Sequence, residues 1–235
     1  MTAELALIQT NIERVHESMA RAAERGGRGV EEITLVAVSK TFPADAIRAA
    51  FEAGLRHFGE NRVQEWESKQ PLVADLAATW HLIGHLQSNK ARRAAHLFHR
   101  IDSVDSLALA QKLDAAAAAE GKRLPVLIEV RLGDEATKSG VAETDVATLA
   151  GSIATLEHVE LRGLMTVPPF FENAELVRPF FRKLRETLER LQKTLGKPLP
   201  VLSMGMSHDF EIAIEEGSTE IRVGSAIFGA RPSMA

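Results

Sequence analysis

The chain has 235 residues, a formal charge of −4 and a pI of about 6.1, so no global excess of positive charge draws it to nucleic acid or acidic lipid. It contains no cysteine, which excludes disulfides, thiolate catalysis and Cys-ligated metal sites. Hydrophobic residues make up 45% of it, enough for a sizeable core. The charged N-terminus has no apolar signal core and no run approaches the roughly 18 apolar residues of a membrane span, so a cytoplasmic protein is expected.

The first element is a helix. Leu5, Ile8, Ile12, Val15 and Met19 recur at helical spacing, and the pattern stops at Gly26-Gly27. Strand candidates follow at residues 33–40, 57–61, 80–86, 100–104, 125–130, 161–167, 200–204 and 221–227. The second and fourth are short and partly polar. Helical patterns lie between most of them, at 44–53, 62–77, 89–95, 106–121, 143–156, 174–195 and 210–216. The alanine run at 115–119 belongs to one of these helices. Strands alternating with helices imply parallel β-α units. Eight units in this length fit a closed (β/α)8 barrel better than an open doubly wound sheet, with residues 1–235 as one domain and the first helix packed on the barrel.

In such barrels chemistry collects at the carboxyl ends of the strands. Strand one closes on Lys40, strand two on Glu60-Asn61, and strand three leads to His85, Gln87 and Asn89. Strand five leads to Arg131 and "DEATKSG", strand six closes in "GLMTVPP", strand seven in "SMGMSHD" and strand eight in "RVGSAIFG". After strand seven, Gly205-Met206-Ser207 runs into a helix. After strand eight, Gly224-Ser225 runs into a short apolar segment that suits a helical turn. Glycine lets backbone N–H groups approach an anion, and these two loops are the usual phosphate site of the architecture. Ser207 as a simple helix cap is the plainer alternative.

Lys40 has two readings. It can snorkel, with its stem packed and its charge in water. It can also be an amine that forms an imine with an aldehyde. Facing a phosphate cradle across the barrel mouth, the second reading calls for a phosphorylated aldehyde, and pyridoxal 5′-phosphate has that shape. Its ring nitrogen needs a partner. Arg222 shares a strand face with Gly224 and can supply one, or it can pair with a carboxylate such as Glu129. A permanently charged donor there would leave the pyridine nitrogen unprotonated and weaken the electron sink that most chemistry of this cofactor needs.

The segments "LVAVSKTFP", "FGENRVQE", "WHLIGHLQSNK", "EATKSG", "RGLMTV" and "LSMGMSHDFEIAIEEGSTEIRVGSAIFGAR" together resemble the pyridoxal phosphate homeostasis protein family, of YggS and PROSC type. The likeness runs from about Ile33 to Arg231. That family is related to the barrel domain of bacterial alanine racemase. The resemblance implies a single barrel holding pyridoxal 5′-phosphate as an internal aldimine on Lys40. It implies phosphate contacts from Ser207, Gly224 and Ser225, a ring-nitrogen contact from Arg222, and a pocket lined by Asn61 and Met165. Arg62 departs from the family's commonest pattern, where an aromatic is frequent, and is expected to point outward from the start of the next helix. Lys138-Ser139 and Gln87 are either capping or rim positions or have a regulatory or substrate role.

Three functions fit these residues: a carrier that stores, buffers or delivers pyridoxal 5′-phosphate, a racemase, and an aldolase-like enzyme whose lysine attacks a phosphosugar. A racemase needs two bases on opposite faces of the substrate carbon. Alanine racemases use the lysine and a tyrosine, and this chain has no tyrosine. A histidine such as His85 or His208 is a candidate substitute, but a lone histidine at a barrel mouth more often has a structural hydrogen-bonding role. The aldolase reading leaves Arg222 idle. The expectation is therefore a non-catalytic carrier with no metal, acting as a monomer, with apo-enzymes that depend on pyridoxal 5′-phosphate as its partners.

Overall fold

A computed structural model describes residues 3–133 and 139–230. Eight parallel strands close into a barrel: β1 (Thr34–Val38), β2 (His57–Glu60), β3 (Thr79–Leu82), β4 (Arg100–Val104), β5 (Leu124–Arg131), β7 (Val159–Met165), β8 (Val201–Ser203) and β9 (Glu220–Val223). Their order is β4-β3-β2-β1-β9-β8-β7-β5, and β5 returns to β4 to close the ring. A two-residue strand, β6 (Val141–Ala142), extends the carboxyl end of β5 and was not foreseen from the sequence. The helices are α1 (Ala3–Arg25), α2 (Ala44–Glu52), α3 (Val63–Lys69), α4 (Ala91–Leu97), α5 (Leu107–Ala119), α6 (Val146–Ile153), α7 (Arg178–Leu195), α8 (Phe210–Glu215) and α9 (Ser225–Phe228).

Local chemistry sets the boundaries. Strands such as Thr34–Val38 are apolar on both faces because helices cover one side and the barrel interior the other. Ser106 accepts a hydrogen bond from Leu109 N and starts α5. Along α7, Phe181, Leu184, Leu188 and Leu191 form a buried stripe at helical spacing, each contributing about 1.5–3 kcal/mol by leaving water. That helix ends on Gly196 at φ 63°. The helix expected over 62–77 ends as α3 at Lys69, because Pro71 lacks an N–H and starts a 3-10 turn instead. Strand eight, expected over 221–227, ends at Val223, and the apolar residues after Gly224 coil into α9. The expected strand 33–40 ends at Val38, leaving Lys40 in the turn beyond it.

α1 lies on the outside of the barrel against α2, α8 and α9. Asn11 Nδ2 donates to Ile227 O at 3.0 Å, and Arg25 bridges Glu211 and Glu215. On another flank an aromatic cluster seats α3. Trp66 lies 4.1 Å from Trp80 between ring centroids, Phe58 lies 5.1 Å from Trp80, and Trp66 Nε1 donates to Leu97 O at 3.1 Å.

The barrel interior is not purely apolar. Arg100 donates to Asp102 through two bonds of 2.6 and 2.8 Å and to both carboxylate oxygens of Glu220 at 2.6 and 2.5 Å. Asp102 is 0% and Glu220 2% exposed. His57 Nδ1 and His81 Nε2 are 3.0 Å apart, and His81 Nδ1 lies 3.5 Å from Asp102 Oδ2. Burial, with His81 and Arg100 nearby, lowers the pKa of His57 below its ordinary value against the pull of Glu220 and Asp102. These residues explain why the second and fourth strands read as partly polar. They turn charged side chains inward, where the charges find each other.

Candidate functional site

Register places the predicted site residues on five neighbouring strand ends. Arg222 pairs with Val36 and Ser203 with both Met165 and Glu220, so these side chains share the interior face. Met165, the last residue of β7, is fully buried. Asn61 follows β2 and is half-buried, and the backbone of Gly84 packs closely against it. Lys40, two residues past β1, is half-buried at the carboxyl end of the barrel. Arg62 is exposed at the start of α3, as expected.

The loops after β8 and β9 meet. Gly205 has φ 94°, and a Cβ there would lie 2.5 Å from Ala213 Cβ, so only glycine lets this loop lie flat on α8. Beyond it, Ser207 Oγ accepts from the backbone N–H of Gly224 at 3.2 Å and of Ala226 at 3.3 Å. Asp209 accepts from Met206 N at 2.6 Å and fixes the turn. Ser225 is exposed beside these two donors. Ser207, Gly224 and Ser225 are thus brought together. Ser207 joins the neighbouring loop rather than capping α8, whose first turn begins at Phe210. Both amides are taken up by Ser207 Oγ in this arrangement, and a phosphate oxygen arriving at the same point would take the place of that acceptor.

Arg222 is buried at 4% exposure. Its Nη1 donates to Ser203 Oγ at 2.7 Å and its Nη2 to Thr166 O at 2.8 Å. The Glu129 pairing considered from the sequence does not form. Glu129 Oε1 accepts from Ser139 Oγ at 2.8 Å instead, and Oε2 is buried with no partner among the described residues. Burial lowers the Arg222 pKa, while Glu220, Asp102, Glu129 and Asp209 act in the opposite direction. Burial likewise raises the Glu129 carboxyl above its usual range. Ser203 and Thr166, which hold the guanidinium, were not singled out from the sequence; Ser203 follows from pairing β8 with β9, which only the fold supplies.

The remaining residues lie at the rim. Gln87 is exposed and its side chain caps nothing. His85 is exposed, with Nδ1 3.3 Å from Asp105 Oδ2. His208 is exposed, with Nε2 3.1 Å from Phe171 O and its ring 5.3 Å from Phe170. Lys138 lies outside the described residues. Among the described residues no group of His, Asp and Glu is arranged to hold a metal ion, and no helix is long and apolar enough to cross a membrane.

The profile described as "Alanine racemase, N-terminal domain" matches residues 5–232, so this closed parallel barrel belongs to the alanine racemase barrel class. The chain belongs to the pyridoxal phosphate homeostasis protein family within that class, on the strength of relatives alike over nearly their whole length. The Aquifex aeolicus "Pyridoxal phosphate homeostasis protein" is 45% identical over 220 residues, covering 94% of this chain and 96% of its own. The Escherichia coli K12 protein of the same name is 44% identical over 229 residues, covering 95% and 97%. The structure of PipY from Synechococcus elongatus PCC7942 with PLP bound is also similar, at 44% identity and TM-score 0.79, covering 84% of this chain and 93% of that one. Alanine racemase from Corynebacterium glutamicum, 18% identical with TM-score 0.68 over 98% of this chain and 63% of that one, shares the fold.

Proposed function

We propose that this protein binds pyridoxal 5′-phosphate at the barrel mouth and serves its storage, buffering or delivery rather than substrate turnover. The observation that carries the reading is the junction of the two glycine loops, where the N–H groups of Gly224 and Ala226 converge on Ser207 beside the strand that bears Arg222. In this reading Ser207, Gly224 and Ser225 hold the phosphate, Arg222 meets the ring nitrogen, and Asn61 and Met165 line the pocket. Lys40 supplies the amine for a covalent imine. PipY with PLP bound, an alike barrel, supports the choice of ligand.

Bound pyridoxal 5′-phosphate supplies an electrophilic aldehyde and, when its ring nitrogen is protonated, an electron sink. A guanidinium at that nitrogen donates but does not give up its proton, which weakens the electron sink. A racemase would need a second base. With no tyrosine in the chain, that role falls to a rim histidine such as His85 or His208. The names of the curated relatives also describe homeostasis rather than catalysis. The test loads the protein with pyridoxal 5′-phosphate, adds L-alanine and follows two signals: D-alanine, and activation of an apo-enzyme that needs the cofactor. The carrier reading expects activation with little or no D-alanine. Sustained formation of D-alanine would replace it with the racemase reading.

A further inference from the structure

Among the described residues Thr41 is the one non-glycine residue with a positive φ, at 68°. A β-branched side chain disfavours that conformation, and strain of this kind persists only where neighbouring contacts enforce it. Thr41 directly follows Lys40. Its N–H donates to Glu65 Oε1 at 2.5 Å. On the other side of Lys40, the Ser39 carbonyl accepts from Lys69 Nζ at 3.0 Å, and Ser39 Oγ donates to Glu60 Oε1 at 2.8 Å. Lys69 joins these contacts, with its ammonium 3.1 and 3.3 Å from the two oxygens of Glu60 and 2.7 Å from Glu65 Oε1. The Glu60 side chain is 0% and the Lys69 side chain 12% exposed.

In this ion triad Glu60 is buried while Lys69 and Glu65 keep 12% and 25% of their side chains exposed, and an ion pair drawn this far inside is a weak stabiliser, because desolvation offsets much of its attraction. Burial pushes Glu60 upward in pKa, with Lys69 and Ser39 opposing. Burial would also raise Glu65, but Lys69 and the Thr41 N–H outweigh it and hold that carboxyl below its usual value. The triad does achieve placement. Glu65 and Lys69 project one helical turn apart from α3, which Trp66 anchors to the barrel, and Glu60 ends β2. Together they grip the residues on both sides of Lys40.

We propose that Glu60, Glu65 and Lys69 are positioning residues, which hold the Ser39–Thr41 turn so that Lys40 leaves the backbone toward the aldehyde it bonds. This rests on the reading of Lys40 given above. The step it serves makes a C=N double bond between the Lys40 nitrogen and the aldehyde carbon in place of the C=O bond and two N–H bonds. The neutral amine gives up two hydrogens, the carbonyl oxygen leaves with them as water, and no oxidation level changes.

The test separates covalent from non-covalent binding. Pyridoxal 5′-phosphate reports imine formation by the growth of its visible band. Pyridoxine 5′-phosphate, with an alcohol in place of the aldehyde, reports the grip alone by calorimetry. Glu65→Ala removes the acceptor for Thr41 N–H, Glu65→Gln keeps an acceptor oxygen, and Lys69→Met empties the centre of the triad. We expect imine formation about tenfold slower or worse in Glu65→Ala and Lys69→Met, since small misplacements of reacting groups carry penalties of that order. Affinity for pyridoxine 5′-phosphate stays within about twofold, and Glu65→Gln recovers most of the rate. Unchanged imine formation in both Glu65→Ala and Lys69→Met would overturn the proposal. So would parallel loss of rate and of pyridoxine 5′-phosphate affinity, which marks general damage to the fold. Should Glu65→Ala fail to fold, Lys69→Met decides by the same two measurements. Unsubstituted protein that binds both compounds but never develops the band would overturn the Lys40 reading and the clamp with it, and that result is visible before any substitution is made.

Discussion

Arg100→Met is the sharpest test of the barrel interior. The guanidinium holds two buried carboxylates, Asp102 at 0% and Glu220 at 2% exposure, through bonds of 2.5 to 2.8 Å. Methionine fills most of the volume but leaves both carboxylates buried without their cation. Breaking a buried pair in this way costs about 3–5 kcal/mol. Against a total stability of about 5–15 kcal/mol this is severe. It corresponds to a fall in Tm of roughly 6–20 °C for a chain of this size. The effect should depend on pH with a definite sign. Burial alone would raise the Asp102 pKa, but Arg100 holds it well below the ordinary carboxylate range. The wild-type contribution is therefore fully present above the unfolded value of about 3.9 and is lost as pH falls through the lower folded value. In the variant Asp102 has burial without Arg100, so its pKa rises and protonation favours the fold. Urea unfolding near pH 7 and again near pH 5 should show the variant's deficit shrinking by up to about 1.4 kcal/mol per pH unit. A loss below about 1 kcal/mol, or a deficit that does not change with pH, would refute this account of the interior.

Ser207→Ala removes the hydroxyl at the meeting point of the two loops. A hydrogen bond to a charged group is worth about 1.5–3 kcal/mol, so titration calorimetry should find pyridoxal 5′-phosphate bound at least about tenfold more weakly. An affinity within about twofold of the wild type would remove Ser207 from the phosphate site. Gly163→Ala would place a Cβ 1.7 Å from Val201 O across the β7–β8 pair, so the strands must separate. A loss of about 1–3 kcal/mol in urea unfolding is expected, and wild-type stability would contradict that strand register.

Much of the fold was legible because its signals are local. The apolar spacing from Ile8 to Met19 marked α1, the glycine pair marked its end, and eight strand-like segments, two of them partly polar, marked the barrel strands. The candidate site was legible for a related reason: Ser207 and Gly224-Ser225 end consecutive strands, and a barrel sets the ends of consecutive strands side by side. The interior charges were not legible. His81, Arg100, Asp102 and Glu220 come from three strands, and nothing in one strand's periodicity says which distant charge will face it. The period-two placement of Arg100 and Asp102 is the one local hint. The clamp around Lys40 was hidden likewise, since Glu65 and Lys69 at helical spacing look like an ordinary surface pair until α3 docks. Boundaries failed where one residue overrode a pattern, as Pro71 did after α3.

The central claim is that Lys40 bonds the aldehyde of pyridoxal 5′-phosphate. Borohydride reduction of the loaded protein, followed by peptide mass mapping, tests it directly. The account predicts that the pyridoxyl mass appears on the peptide carrying Lys40 and is absent from Lys40→Ala, which also lacks the visible band. A label on another lysine in the wild type, or an undiminished band in Lys40→Ala, would contradict it.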